Sequence, residues 1–286
     1  MFRTAACAAN PGDIARLIQQ GRMAEARRLG AQLLRQRPDD GTLLQLVAIA
    51  ALQSGEAAEG ATLLRRAIAL QPNNAAIRFN LAKALGDAGK LDEALRVCPT
   101  ADADQRRLRA ELLKQAKRWG EARRAYRELI AADPSNADLR NNLATAALAD
   151  GDAKEAVTEL ETATTLQPAR AVSWINLAKA HGHAGHAEEA LSAAQRASRL
   201  EPLDGRAALE HAVALNRLQR QSEALPLLTA ALEREPGNTA LLLETGLAFA
   251  GLGEFARAEM GYRLALKADP GNRQAWMNLG TLLEQD

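Results

Sequence analysis

Proline marks this chain at a fixed interval. Pro134, Pro168, Pro202, Pro236 and Pro270 follow one another every 34 residues, and Pro38 and Pro72 share that spacing. A residue that fixes φ and lacks a backbone N–H cannot continue a helix, so each Pro ends one element and sets the turn into the next. Turn-forming pairs come directly after it: Asn73-Asn74, Ser135-Asn136, Gly237-Asn238 and Gly271-Asn272. A period of this length predicts a solenoid of stacked two-element units, each burying its apolar face on its neighbours, in place of a globular domain.

Between these marks two amphipathic segments recur. The first reads F-N-L-A-K-A-L-G-D-A-G at 79–89, I-N-L-A-K-A-H-G-H-A-G at 175–185 and M-N-L-G-T-L-L-E-Q-D at 277–286. A short Gly-containing turn leads into L-D-E-A-L, A-E-E-A-L or A-K-E-A-V. That second segment carries a small residue at one place (Ala94, Ala156, Ala190, Ala224, Ala258) and another seven residues later (Ala67, Ala163, Ala197, Ala265). Small residues at fixed contacts let two helices pack closely while larger side chains fill the gaps. Composition agrees: Ala and Leu dominate, aromatics are 3%, β-branched residues are sparse and no run alternates apolar with polar, so the expected class is all-α.

These residues resemble the tetratricopeptide repeat family, whose signature is large–Leu–small–large in the first helix and Ala–aromatic–Ala–Pro in the second. Trp174, Leu177, Ala178, His181, Ala190, Ala194, Ala197 and Pro202 fill it in one unit. Leu242, Thr245, Gly246, Phe249, Ala258, Tyr262, Ala265 and Pro270 fill it in another. The resemblance, to a bacterial-type array, covers nearly the whole chain and implies a right-handed α-solenoid with first helices on its concave side. The copies fall at 7–40, 41–74, 75–102, 103–136, 137–170, 171–204, 205–238 and 239–272, with a first helix alone at 273–286. One continuous domain is expected, its repeats 1–3 in 1–102 and the rest in 103–286. The first copy is degenerate. The third is six residues short, interrupted by V-C-P-T-A-D-A-D at Pro99. That interruption implies a local change in superhelical pitch, a seam between subarrays, or a tolerated deletion in an outer helix.

Charge argues against several functions. There are 36 basic and 35 acidic residues, a net charge of +1, and few aromatics for base stacking, so nucleic acid is not expected as a partner. No apolar stretch approaches the ~20 residues that span a bilayer. Cys7 and Cys98 lie far apart without C-x-x-C spacing, which fits free thiols and a cytoplasmic setting. No nucleophile elbow, phosphate loop or H-E-x-x-H occurs, so neither an enzyme nor a cofactor is expected. His181, His183 and His186 in H-G-H-A-G-H, with His211 beyond, lack a carboxylate or Cys at tight ligand spacing. His181 sits in a packing position, and no metal site is expected.

The expected function is a protein-interaction scaffold that holds a peptide or protein segment in its groove. Asn80, Asn142, Asn176 and Asn278 recur one place before the signature Leu, and Lys83 and Lys179 lie three residues beyond the first and third of these. An amide both donates and accepts, so such a row can grip the backbone of an extended peptide. The pattern is similar to the asparagine ladder of O-linked N-acetylglucosamine transferases; equally, Asn here can bond a neighbouring helix. Glu210 and Glu244 interrupt the row and favour basic ligands there. The carboxylate clamp of the same family is not satisfied: beside Asn176 stand Asn141 and Thr145 on one side, Arg206 and Glu210 on the other. Trp276, Leu279, Leu282 and Leu283 are apolar with no second helix following. This raises two alternatives: the N-terminal module of a larger sulfotransferase- or O-glycosyltransferase-type enzyme, or self-association through the last helix.

Overall fold

A computed structural model describes residues 10–284; Cys7 and Asp286 lie outside that range. Seventeen helices and no strand occur among the described residues. They run in pairs: α1 (Pro11–Gln19) and α2 (Met23–Gln36), α3 (Gly41–Gln53) and α4 (Ala57–Leu70), α5 (Ala75–Asp87) and α6 (Leu91–Val97). Next come α7 (Ala103–Gln115) and α8 (Trp119–Ala132), α9 (Ala137–Ala149) and α10 (Ala153–Leu166), α11 (Ala171–Ala184) and α12 (Ala187–Leu200). The last are α13 (Gly205–Arg217) and α14 (Gln221–Arg234), α15 (Thr239–Gly251) and α16 (Phe255–Ala268), then α17 (Arg273–Leu283). The chain divides into two compact units, one up to Ala125 and one from Tyr126.

The proline interval sets the helix starts. Two residues after Pro38, Pro72, Pro134, Pro202, Pro236 and Pro270 stands an Asp or Asn whose side chain accepts from a first-turn N–H. These caps, at Asp40, Asn74, Asn136, Asp204, Asn238 and Asn272, satisfy donors that the helix cannot, worth about 1 kcal/mol each. The Pro carbonyl has its own partners at the fourth position of the following helix. Trp174 and Trp276 donate Nε1–H to Pro168 and Pro270 at 2.9 and 3.0 Å, and the Arg140 guanidinium donates to Pro134 at 2.8 Å. Turns inside the pairs pass through the left-handed region at Gly21, Gly55, Gly89, Gly151, Gly185 and Gly253; Lys117 and Gln219 adopt it too, with φ of 56° and 58°.

Packing within pairs follows the small residues. Ala94, Ala156, Ala190, Ala224 and Ala258 are buried, as are Ala67, Ala163, Ala197, Ala231 and Ala265. At Gly246 an added Cβ would lie 2.5 Å from the Tyr262 ring, and at Gly261 one would lie 3.0 Å from the Gly246 Cα, so α15 and α16 meet almost backbone to backbone. In each unit the odd-numbered helices also pack directly on the next odd-numbered helix (α1, α3, α5, α7; then α9, α11, α13, α15, α17). No comparable contact joins two even-numbered helices among the described residues. The odd row is therefore the closely spaced one.

The short third repeat is compensated in place. Helix α6 has seven residues where other second helices have fourteen. Its loose carbonyls are taken by arginines of the flanking first helices: Arg78 Nε donates to Val97 O at 3.1 Å and Arg109 Nη1 to Leu95 O at 2.9 Å. Cys98 is buried behind them, and burial pushes its thiol up while Arg109 and Arg78 pull it back. Buried Gln105 fastens the exit, accepting from Ala101 N–H at 2.9 Å and donating to the Asp102 carboxylate at 2.6 Å.

Candidate functional site

The residues singled out beside the packing positions lie on odd helices, in two separate groups. In the first unit, half-buried Asn80 and exposed Lys83 lie on α5. Asn80 stands between two cavities. One of about 410 Å³ is lined by Phe79, Asn80, Asp102 and Asp104; the other, of about 190 Å³, by Gln53, Asn80, Lys83 and Asp87.

In the second unit the asparagines are partly engaged by the fold. Asn141 is buried on α9 and donates to Ala137 O at 2.8 Å and to Ser173 Oγ on α11 at 2.9 Å. Asn176 donates to Asn141 Oδ1 at 3.3 Å. This pair ties α9 to α11. Asn142 is half-buried on α9. Asn278 Oδ1 accepts from Gln274 at 2.8 Å, while its buried Nδ2 has no partner.

A denser group lies farther along. Lys179 on α11, Glu210 and Arg217 on α13, with His183 and Val213, line a cavity of about 150 Å³. Arg217 and Val213 also line a second cavity of about 570 Å³ with Asn216, Gln219, Gln221, Leu243, Glu244 and Gln274. Burial pushes the carboxyls of both Glu210 and Glu244 upward, and Glu244 adds to the rise at Glu210. Lys179 and Arg217 oppose it at Glu210; the Asn216 amide, donating to Glu244 Oε2 at 3.0 Å, and Arg217 oppose it at Glu244. Desolvation disfavours the charged form of each carboxyl, and the neighbouring cations oppose that. Asn216 and Arg217 carry no sequence signature. Their role depends on neighbours one repeat away, Gly182 and Glu244, whose carbonyls accept from Arg217 and Asn216.

His181 is buried in its packing position, its Nδ1 without a hydrogen-bond partner, and its ring centroid is 5.8 Å from that of His186. Burial lowers the pKa of His181, His183 and His211. No group of three or more His, Cys, Asp or Glu among the described residues is arranged to hold a metal ion. No helix among them is long and apolar enough to cross a membrane.

Two tetratricopeptide repeat models match the sequence, one over residues 51–116 and 113–171, the other over 175–239, 222–272 and 243–286. The chain belongs to the tetratricopeptide repeat family. Its class is that of an interaction scaffold, the repeats being all-helical as in solved members. A tetratricopeptide repeat protein from Parabacteroides merdae superposes with a TM-score of 0.71 at 15% identity, over 85% of this chain and 98% of that one. TTC0263 from Thermus thermophilus gives 0.55 at 18% identity, over 64% and 100%. The Cut9–Hcn1 hetero-tetramer of APC/C gives 0.60 at 15% identity, over 93% of this chain and 54% of that one. No curated protein sequence matches. At these identities the likeness establishes the fold.

Proposed function

We propose that this tetratricopeptide repeat chain holds an extended segment of a partner protein along its odd-numbered helices, and that the stretch from Lys179 to Glu244 takes basic side chains. The observation that carries this reading is Glu210. It is a half-buried carboxylate on the closely spaced row, lining a cavity, with neither a hydrogen bond nor an ion pair among the described residues. Buried or half-buried charge without a partner is costly in a fold that needs only packing, which favours a ligand as its partner. Binding and not catalysis is the proposed role. A preformed row of helices loses little conformational freedom on engagement, so modest contacts suffice.

The test uses a partner recovered by cross-linking to the intact protein. Glu210→Gln together with Glu244→Gln should weaken its binding at least tenfold, a change of about 1.4 kcal/mol, with helicity by circular dichroism unchanged. Asn142→Ala, Asn176→Ala and Lys179→Ala should weaken it further. Unchanged affinity across these variants would place the site elsewhere.

A second reading, self-association through α17, is favoured by one observation. Met260 and Leu264 on α16, and Trp276, Met277 and Leu283 on α17, are large apolar side chains left exposed. The two helices pack on each other, and large exposed apolar surface marks contact sites. Light scattering over a range of concentrations, compared with Trp276→Arg, tests it; a monomer at every concentration removes it.

A further inference from the structure

The Glu210 cavity and the Glu244 cavity share a wall made by Val213 and Arg217, and Arg217 is its charged part. Its guanidinium is exposed and held by a single hydrogen bond, from Nη1 to the carbonyl of Gly182 at the end of α11. Gly182 O already accepts from Gly185 N–H at 3.3 Å. A Cβ at residue 182 would lie 2.6 Å from the Arg217 Nη1, so any larger residue there displaces the guanidinium. Among the described residues no carboxylate lies within ion-pair distance of this arginine, although its charge is felt at both Glu210 and Glu244. An arginine carries five donors in a rigid fork, and only one is in use.

Acceptors around it are left over. Glu210 has no partner, and Asn216 Oδ1 is buried without one although Asn216 Nδ2 is committed to Glu244. Glu210 lines one cavity and Asn216 the adjoining one, and a carboxylate and an amide oxygen on either side of Arg217 match the fork of a guanidinium better than the single ammonium of a lysine.

We propose that Arg217 is an internal stand-in for an arginine side chain of the partner: it stands between the Glu210 cavity and the Glu244 cavity in the free protein and swings out when a partner arginine enters. The inference rests on the reading of this stretch as a groove for basic segments. In the free protein the arginine's charge offsets the cost of both carboxylates. On binding, the tether to Gly182 breaks, the two cavities join, and the incoming guanidinium takes Glu210 and the Asn216 oxygen. Affinity for arginine is thereby held below what the acidic lining alone would give.

The experiment measures fluorescence polarisation of a fluorescein-labelled Ala-Arg-Ala-Arg-Ala-Arg-Ala peptide, and of its neutral citrulline counterpart, on the full chain. Arg217→Gln keeps the side chain's length class and helix propensity but removes the competing charge. It should tighten the arginine peptide roughly tenfold and leave the citrulline peptide unchanged. Gly182→Ala, which dislodges the tether and retains the arginine, should tighten it by a smaller factor. Adding Glu210→Gln to Arg217→Gln should cancel the gain. Unchanged or weaker arginine-peptide binding by Arg217→Gln overturns the stand-in role, as does equal tightening of the citrulline peptide. If Glu210→Gln alone weakens the arginine peptide but Arg217→Gln gives no gain, the stand-in fails and the basic-segment groove stands. If neither variant changes binding, both fail.

Discussion

The third repeat and the eighth are built from the same plan and held together by different means. In the eighth, α15 and α16 are full length and meet through Gly246, Gly261, Ala258 and Tyr262, with the Tyr262 ring lying over the bare Gly246 backbone. In the third, α6 stops after seven residues and the missing turns are replaced by polar links from Arg78, Arg109 and Gln105. One junction is a matter of shape and the other of hydrogen bonds placed on otherwise loose carbonyls. Solenoid units can therefore be shortened without a break in the stack, provided that neighbouring helices supply donors for the truncated end.

The sharpest way to break this contrast is Tyr262→Ala. Removing a buried ring from a shape-determined junction should cost about 3–5 kcal/mol in a urea titration; a loss under 1 kcal/mol would mean that the eighth repeat is not held by that contact. Arg109→Met should cost less, about 1–3 kcal/mol, by orphaning the Leu95 carbonyl while keeping the side-chain stem. A neutral result there would show that water replaces the guanidinium and that the third repeat needs no compensation. The turns sharpen the comparison further. Gly89 and Gly253 serve the third and eighth repeats alike, at φ 72° and 76°, whereas the turn of the fourth, after α7, holds Lys117 at φ 56°. Lys117→Gly should therefore raise stability by about 1 kcal/mol, read as a higher urea midpoint.

The smallest expected effect is on pH dependence. Burial raises the Cys98 thiol in the folded protein, so above about pH 8.5, where the unfolded thiol ionises, the unfolded chain has released a proton that the folded one keeps. Stability contributed by Cys98 is full below that pH and declines as pH rises through the folded value. In the eighth repeat Tyr262 is pushed up to about 12, chiefly by burial and secondarily by Glu244, so its decline begins near pH 10 instead. Cys98→Ala should remove the earlier decline and leave the later one.

Much of the fold was legible because it is written in period. Proline sets the helix ends, the Asp or Asn two residues on sets the next start, and the alanines seven apart set the pair contact. The candidate site was legible only as positions. Asn142 and Asn176 occupy the ladder positions, but the bonds that tie α9 to α11 run from Asn141, one place earlier, to Asn176 and Ser173, and come from an approach of two helices that no single repeat encodes. Arg217 was missed for the same reason: its meaning depends on an absent side chain at Gly182, in the preceding repeat. The arginines over α6 were equally hidden, since nothing in V-C-P-T-A-D says which neighbours will supply donors.

The indole bonds to Pro168 and Pro270 have a practical consequence. Each couples a natural fluorophore, Trp174 or Trp276, to the carbonyl that punctuates the repeat before it. When such a junction frays, the indole N–H trades a fixed carbonyl for mobile solvent, and its emission changes without any dye. Replacing Trp119 with Phe, and then one of the remaining two in turn, leaves single-tryptophan proteins that report the opening of one chosen seam in time-resolved experiments.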